Sequence, residues 1–194
     1  MVDTSASPTK KVALKSGDDL SQQVQANRRL ITDFIDWRRL CPPQTDSEHT
    51  FVLVTIANLA GLHLLPEGLF RTWNYKSPTS SIIFGATVAP DQISGKIIEI
   101  GKLALCFRSI KRDEDKLTLV ARIEWELGIG PLHPFYDGCG RISRYFSTLT
   151  SLWSNTPLVI HHSREEYFSR AREGETSFVQ YYLNQPRVAS EGRE

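Results

Sequence analysis

Leu132-His133-Pro134-Phe135-Tyr136-Asp137-Gly138-Cys139-Gly140-Arg141-Ile142-Ser143-Arg144 gathers a histidine, a carboxylate, two glycines, a thiol and two arginines into one loop and the start of one helix. The residues that follow place Ile142, Tyr145, Phe146, Leu149, Leu152 and Trp153 at helical spacing, which predicts a helix beginning near Gly140. Gly138, Cys139 and Gly140 then stand at its N-terminus. Unpaired backbone N–H groups and the positive end of the helix dipole make such a place suited to an anion. Glycine lets the backbone curl into a concave nest of amides. Arg141 and Arg144, three residues apart, share one helix face, so their guanidinium groups reach toward a common anion. Asp137 is a hard oxygen ligand of the kind that holds magnesium against phosphate. His133 supplies a side chain whose ordinary pKa suits proton abstraction near neutrality. The stretch reads as a phosphate-handling site.

Working outward, the chain of 194 residues fits one domain with a substantial core. Lys and Arg number 23 against 22 Asp and Glu, a net charge of +1, so bulk charge gives no support to a nucleic-acid partner. Cys41, Cys106 and Cys139 are odd in number and widely spaced; they form no metal-ligand pattern and fit a reducing, cytoplasmic setting. No basic-then-apolar leader is visible at the N-terminus, though delivery into another cell stays open. The most apolar run, 51–65, is too short to span a membrane and is expected as a buried helix.

Residues 1–17 lack hydrophobic periodicity and are expected as a flexible tail. An N-terminal helical unit is expected over 18–44, its stripe formed by Leu20, Val24, Leu30, Ile31, Phe34, Ile35 and Leu40, and stopped by Cys41-Pro42-Pro43. Cys41 is expected as a packing residue at that helix end. The main domain is expected over 45–185. Its first helix opens with the capping box Thr45-Asp46-Ser47-Glu48. Extended-chain formers follow over 69–90, with Gly85 and Ser77-Pro78 as bends, and predict a β-hairpin. Further helices are expected over 91–110, 115–127, about 163–172 and 176–183, with Tyr181 and Tyr182 facing inward. The charged run 111–116 is expected as a solvated turn. His161 and His162 are adjacent, which suits no helical metal site, and are expected at the surface. Residues 186–194 are expected to be frayed. The fold class is mainly α, a helical bundle carrying one β-hairpin.

His133-Pro134-Phe135-Tyr136-Asp137-Gly138-Cys139-Gly140-Arg141-Ile142-Ser143-Arg144 resembles the Fic-family signature H-P-F-x-[D/E]-G-N-G-R-x-x-R, with Cys139 in place of the asparagine. The resemblance extends weakly from about residue 45 to 183. It implies a Fic/Fido-type bundle whose hairpin is a flap that aligns a target chain as an added strand. Flap residues would be Thr72, Trp73, Ile82, Ile83 and Phe84. The implied reaction transfers a nucleotide monophosphate, AMP from ATP in most of the family, to a Ser, Thr or Tyr hydroxyl of a target protein. By the same resemblance His133 would take the hydroxyl proton, and Asp137 would hold Mg2+. Gly138, Cys139 and Gly140 would cradle phosphates, Arg141 would neutralise the leaving diphosphate, and Arg144 would hold the γ-phosphate. Phe135 would anchor the loop in the core.

Cys139 leaves four outcomes open, because a thiol is a weaker donor than an amide. The backbone nest suffices for transfer; or the pocket takes another phosphate-containing donor, as phosphocholine-transferring and kinase-like relatives do; or the chain survives as a binding module. The fourth belongs to another class, a His133–Cys139 dyad for nucleophilic catalysis at a helix N-terminus, which would leave Asp137, Arg141 and Arg144 without a role. Ser169-Arg170-Ala171-Arg172-Glu173-Gly174 matches the family's inhibitory pattern [S/T]-x-x-x-E-[G/N], but too close to the signature helix, and is taken as a chance match. Inhibition would then fall to a separate antitoxin-like protein or be absent.

Overall fold

The computed structural model describes residues 17–60, 70, 88–135 and 139–189. Of the tail expected over 1–17 only Gly17 is described, and it opens α1; the hairpin expected over 69–90 lies outside the described residues except 70 and 88–90, as do 190–194. Seven helices form the described structure: α1 (Gly17–Leu40), α2 (Asp46–Ala60), α3 (Ile93–Leu105), α4 (Asp113–Gly128), α5 (Cys139–Ser154), α6 (Arg164–Glu173) and α7 (Glu175–Leu183). Two short strands, β1 (Leu158–Val159) and β2 (Arg187–Val188), pair antiparallel in the register Leu158–Val188 and Val159–Arg187. The chain is mainly helical with one small sheet. Among the described residues no helix is long and apolar enough to cross a membrane.

The α4–α5 pair forms the centre: α2 and α3 pack on one side, α6 and α7 cover another, and α1 lies against α2 and α5. α5 buries Ile142, Phe146 and Leu149, as its spacing predicts, but also Ser143, Ser147, Thr150 and Ser151. Those small polar side chains are tolerable because they bond back into the helix: Ser147 Oγ donates to Ser143 O at 2.8 Å and Thr150 Oγ1 to Phe146 O at 2.7 Å. A face of small residues lets α4 come close.

Several boundaries move for physical reasons. The helix expected over 91–110 is α only from Ile93 to Leu105, with 3-10 turns at Pro90–Gln92 and Cys106–Ser109. The charged run 111–116 is not a turn throughout. Asp113, Glu114 and Asp115 make the first turn of α4, where carboxylates complement the helix dipole. α6 starts where its capping box predicts, with Ser163 Oγ accepting from Glu166 N–H at 3.1 Å. At α2, Thr45 Oγ1 accepts from Glu48 N–H at 3.1 Å, while the Glu48 carboxylate takes the Gln44 N–H. β2 extends order past Gln185, since Ile160 N–H reaches Pro186 O and the strand pair closes there.

The expected stripe of α1 is only partly buried. Ile31 is buried and Phe34 and Ile35 are half-buried, whereas Leu30 and Leu40 lie exposed; the side chains of Leu20 and Val24 are outside the described residues. Cys41 is exposed as well, not packed. The end of α1 is tied down by Trp153, whose Nε1–H donates to Arg38 O at 2.8 Å.

Candidate functional site

The site is built at the joint between the end of α4 and the start of α5. Ile129 and Gly130 N–H both close on Trp125 O, at 2.9 and 2.6 Å, and end the helix. A helix C-terminus leaves carbonyls without intrahelical partners. His133 meets two of them. Its N–H approaches Glu126 O at 3.4 Å, and its ring Nδ1 lies 2.9 Å from Gly128 O. A carbonyl only accepts, so Nδ1 carries a proton and donates it to Gly128 O. The residue is 8 % exposed and sits at φ 31°, in the left-handed region that a residue with a side chain seldom occupies. Paired backbone and ring contacts over-determine that conformation.

Gly128 also sets the spacing of the two helices. A Cβ there would stand 2.7 Å from Ser143 Oγ and 3.7 Å from Gly140 Cα. The carbonyl that orients His133 therefore belongs to a residue pressed against the first turn of α5. Ser143 Oγ is held in turn by Gly140 O at 3.2 Å.

Cys139, the first residue of α5, is 2 % exposed. Its Sγ accepts from Phe135 N–H at 3.3 Å and donates to Phe135 O at 3.4 Å. The thiol thus clamps the two ends of the loop 135–139. Phe135 is buried, as expected of an anchor; it forms an antiparallel bridge with Phe70, whose ring centroid lies 5.8 Å away. A nucleophilic thiol needs an open face, and this one is buried against backbone. That geometry argues against the thiol dyad.

Arg144 turns back along α5, as long side chains on helices do. Its Nη1 lies 3.6 Å from where a Gly140 Cβ would stand, which puts the guanidinium over the first turn. Its Cζ lies 5.7 Å from the Tyr167 ring centroid, and it interacts with the Tyr167 hydroxyl. That hydroxyl donates to Glu124 Oε1 at 2.9 Å, and Glu124 also meets His161 Nε2 at 3.3 Å. Burial first, then the Glu124 carboxylate, push the Tyr167 hydroxyl well above its ordinary pKa; Arg144 draws it partly back.

Of the expected site residues, His133, Cys139, Gly140 and Arg144 come together at this joint, and Arg141 is exposed on the same first turn. Asp137 and Gly138 lie outside the described residues, as do Thr72, Trp73, Ile82, Ile83 and Phe84. Among the described residues, no group of three or more His, Cys, Asp or Glu side chains is placed to hold a metal ion. His161 is a correction: its side chain is 15 % exposed and packs among Tyr167, Tyr181 and Tyr182, because the buried Glu124 draws it inward. Glu124 itself carries a signal in the sequence. It stands on the face of α4 shared by Val120 and Leu127, and a carboxylate on a core stripe requires partners. Glu173 is exposed and bonded to Arg170 and Ser177, at 3.1 and 2.6 Å, in the α6–α7 corner.

No protein-family model and no curated protein matches this chain.

Proposed function

We propose that the chain is a Fic-type nucleotidyltransferase, a Fic/Fido-type bundle with a hairpin flap, which moves AMP from ATP to a Ser, Thr or Tyr hydroxyl of a target protein. The observation that supports it best is the His133 ring, held by Nδ1–H at Gly128 O beside the first turn of α5. With Nδ1–H committed to that carbonyl, Nε2 is the ring atom that would take the proton. The target oxygen attacks the α-phosphorus, its proton passes to His133 Nε2, and the bond to the β-phosphate breaks to release diphosphate. The amides of Gly138, Cys139 and Gly140 cradle the phosphates at the positive end of α5. Arg141 offsets charge on the leaving diphosphate and Arg144 holds the outermost phosphate. A single carboxylate with substrate phosphates is a donor set that suits Mg2+, so Asp137 fits as its ligand; bound there, the ion would neutralise phosphate charge. Flap residues Thr72, Trp73, Ile82, Ile83 and Phe84 would align the target chain.

The thiol of Cys139 fits this scheme as a loop clamp. An asparagine amide would offer the Phe135 backbone the same two bonds, one accepted and one donated, and more strongly. Transfer by the native protein is expected to be weaker than that of Cys139→Asn.

The test is incubation with Mg2+ and ATP labelled at the α-phosphate, alone and with cell lysate, beside GTP, CTP, UTP and CDP-choline. Label on protein that disappears in His133→Ala supports the reading. Label from CDP-choline alone would move it to another donor of the same site. Nucleotide binding without transfer would make the chain a binding module, and no binding at all would overturn the reading.

A further inference from the structure

Arginine on an exposed helix turn ordinarily spreads over many rotamers, and a guanidinium that must grip one anion loses affinity with every rotamer it explores. Arg144 is exposed, yet its head group is held. Tyr167 provides the holder: its ring lies under the guanidinium, 5.7 Å from Cζ to the ring centroid, and its hydroxyl feels the Arg144 charge. Tyr167 is in turn immobile. It is 2 % exposed, with the Phe178, Phe168 and His161 rings edge-on at 5.1, 5.3 and 4.8 Å. Its hydroxyl is fixed by Glu124, 2 % exposed on α4, and Glu124 is fixed by His161. A phenylalanine at 167 and an apolar residue at 124 would fill this space without burying a carboxylate, and burying one is unfavourable unless it is fully partnered. The Tyr167 hydroxyl joins carboxylate and cation, donating to Glu124 while its own electrostatics answer to the Arg144 charge.

We propose that Glu124 and Tyr167 are positioning residues that preorganise the Arg144 guanidinium over the first turn of α5 for the terminal phosphate of a bound polyphosphate. The inference rests on the transferase reading only for what Arg144 grips; the holding of Arg144 stands on the geometry. The chain of contacts runs from α5 through α6 to α4, so the arginine's place is set by the packing of three helices and not by its own helix alone.

Two measurements on the full chain test it. The Arg144 Nε–H resonance, assigned by its loss in Arg144→Lys, should be distinct and slowly exchanging in the native protein. In Tyr167→Phe, which keeps the ring, it should move to the position of free arginines while circular dichroism stays native. An unchanged resonance in folded Tyr167→Phe would overturn the proposal. Should Tyr167→Phe fail to fold, Glu124→Gln is read the same way, since it keeps an acceptor for the hydroxyl and removes the charge. Inorganic triphosphate is the binding probe: Tyr167→Phe should weaken it by about tenfold, and should have no further effect in the Arg144→Ala background. Equal losses in both backgrounds would show a merely structural role. If the native protein binds no triphosphate, the transferase reading fails, and the resonance alone decides whether Arg144 is held.

Discussion

Under the proposed reading His133 does two things at once, and its replacement should separate them. Its ring satisfies Gly128 O at a buried helix end, and leaving that carbonyl unpaired costs about 1–3 kcal/mol. Loss of a general base lowers a rate by ~10²–10⁴. His133→Ala is therefore expected to lose nearly all labelling while unfolding at lower urea, with the fold retained in its circular dichroism. A variant that labels as well as the native protein would remove His133 from the chemistry. Cys139 gives a second residue-scale outcome. Cys41 and Cys106 are exposed and Cys139 is buried on the Phe135 backbone. A thiol reagent such as DTNB should react rapidly with two cysteines of the native protein and reach the third only in denaturant. Rapid reaction of all three would refute the clamp.

At the scale of elements, the α4–α5 joint depends on the absence of a side chain at Gly128. A Cβ there would overlap Ser143 Oγ, and neither Ser143 nor Gly140 can yield without parting the helices or breaking the bond from Ser143 Oγ to Gly140 O. Overpacking of this kind typically costs about 1–3 kcal/mol. Gly128→Ala should accordingly lower the urea midpoint, and it should weaken labelling beyond that loss, because the carbonyl of the same residue orients His133. Ser143→Ala in the same chain should return part of the stability by making room. Additive effects of the two substitutions would show that they do not meet.

At the scale of the molecule, the α6–α7 side is an aromatic block around one buried carboxylate. Burial first, then Glu166 and Glu124, push the Tyr181 hydroxyl up to about 12, and burial with Glu124 pushes Tyr167 and Tyr182 well above the ordinary tyrosine range. An unfolded tyrosine ionises near pH ~10. The native state thus keeps protons that the unfolded chain gives up. Stability from these groups is complete below that value and is lost as pH rises through the native pKa. The urea midpoint should fall steeply above about pH 10, and less steeply in Tyr181→Phe. Near pH 8 that variant should be at least as stable as the native chain, since the buried Tyr181 hydroxyl has no hydrogen-bond partner among the described residues. An unchanged alkaline slope would mean Tyr181 ionises as freely folded as unfolded.

Periodicity and punctuation in the sequence were enough to place α1, α2, α4, α5, α6 and α7 and the capping serine of α6, because these are local effects of spacing and of single backbone bonds. The motif residues His133, Gly140 and Arg144 were legible for the same reason: loop and helix start are contiguous in the chain. What local pattern could not contain was the partnership across distance. Gly128 against Ser143, Trp153 on Arg38, and the line from Arg144 through Tyr167 to Glu124 and His161 join residues 15 to 115 positions apart. Gly128 against Ser143 is a matter of close helix approach; the Trp153, Tyr167 and Glu124 bonds exist because a polar atom carried inside by its apolar neighbours must find a bond there. Only the packing of α4, α5 and α6 decided which atom that would be.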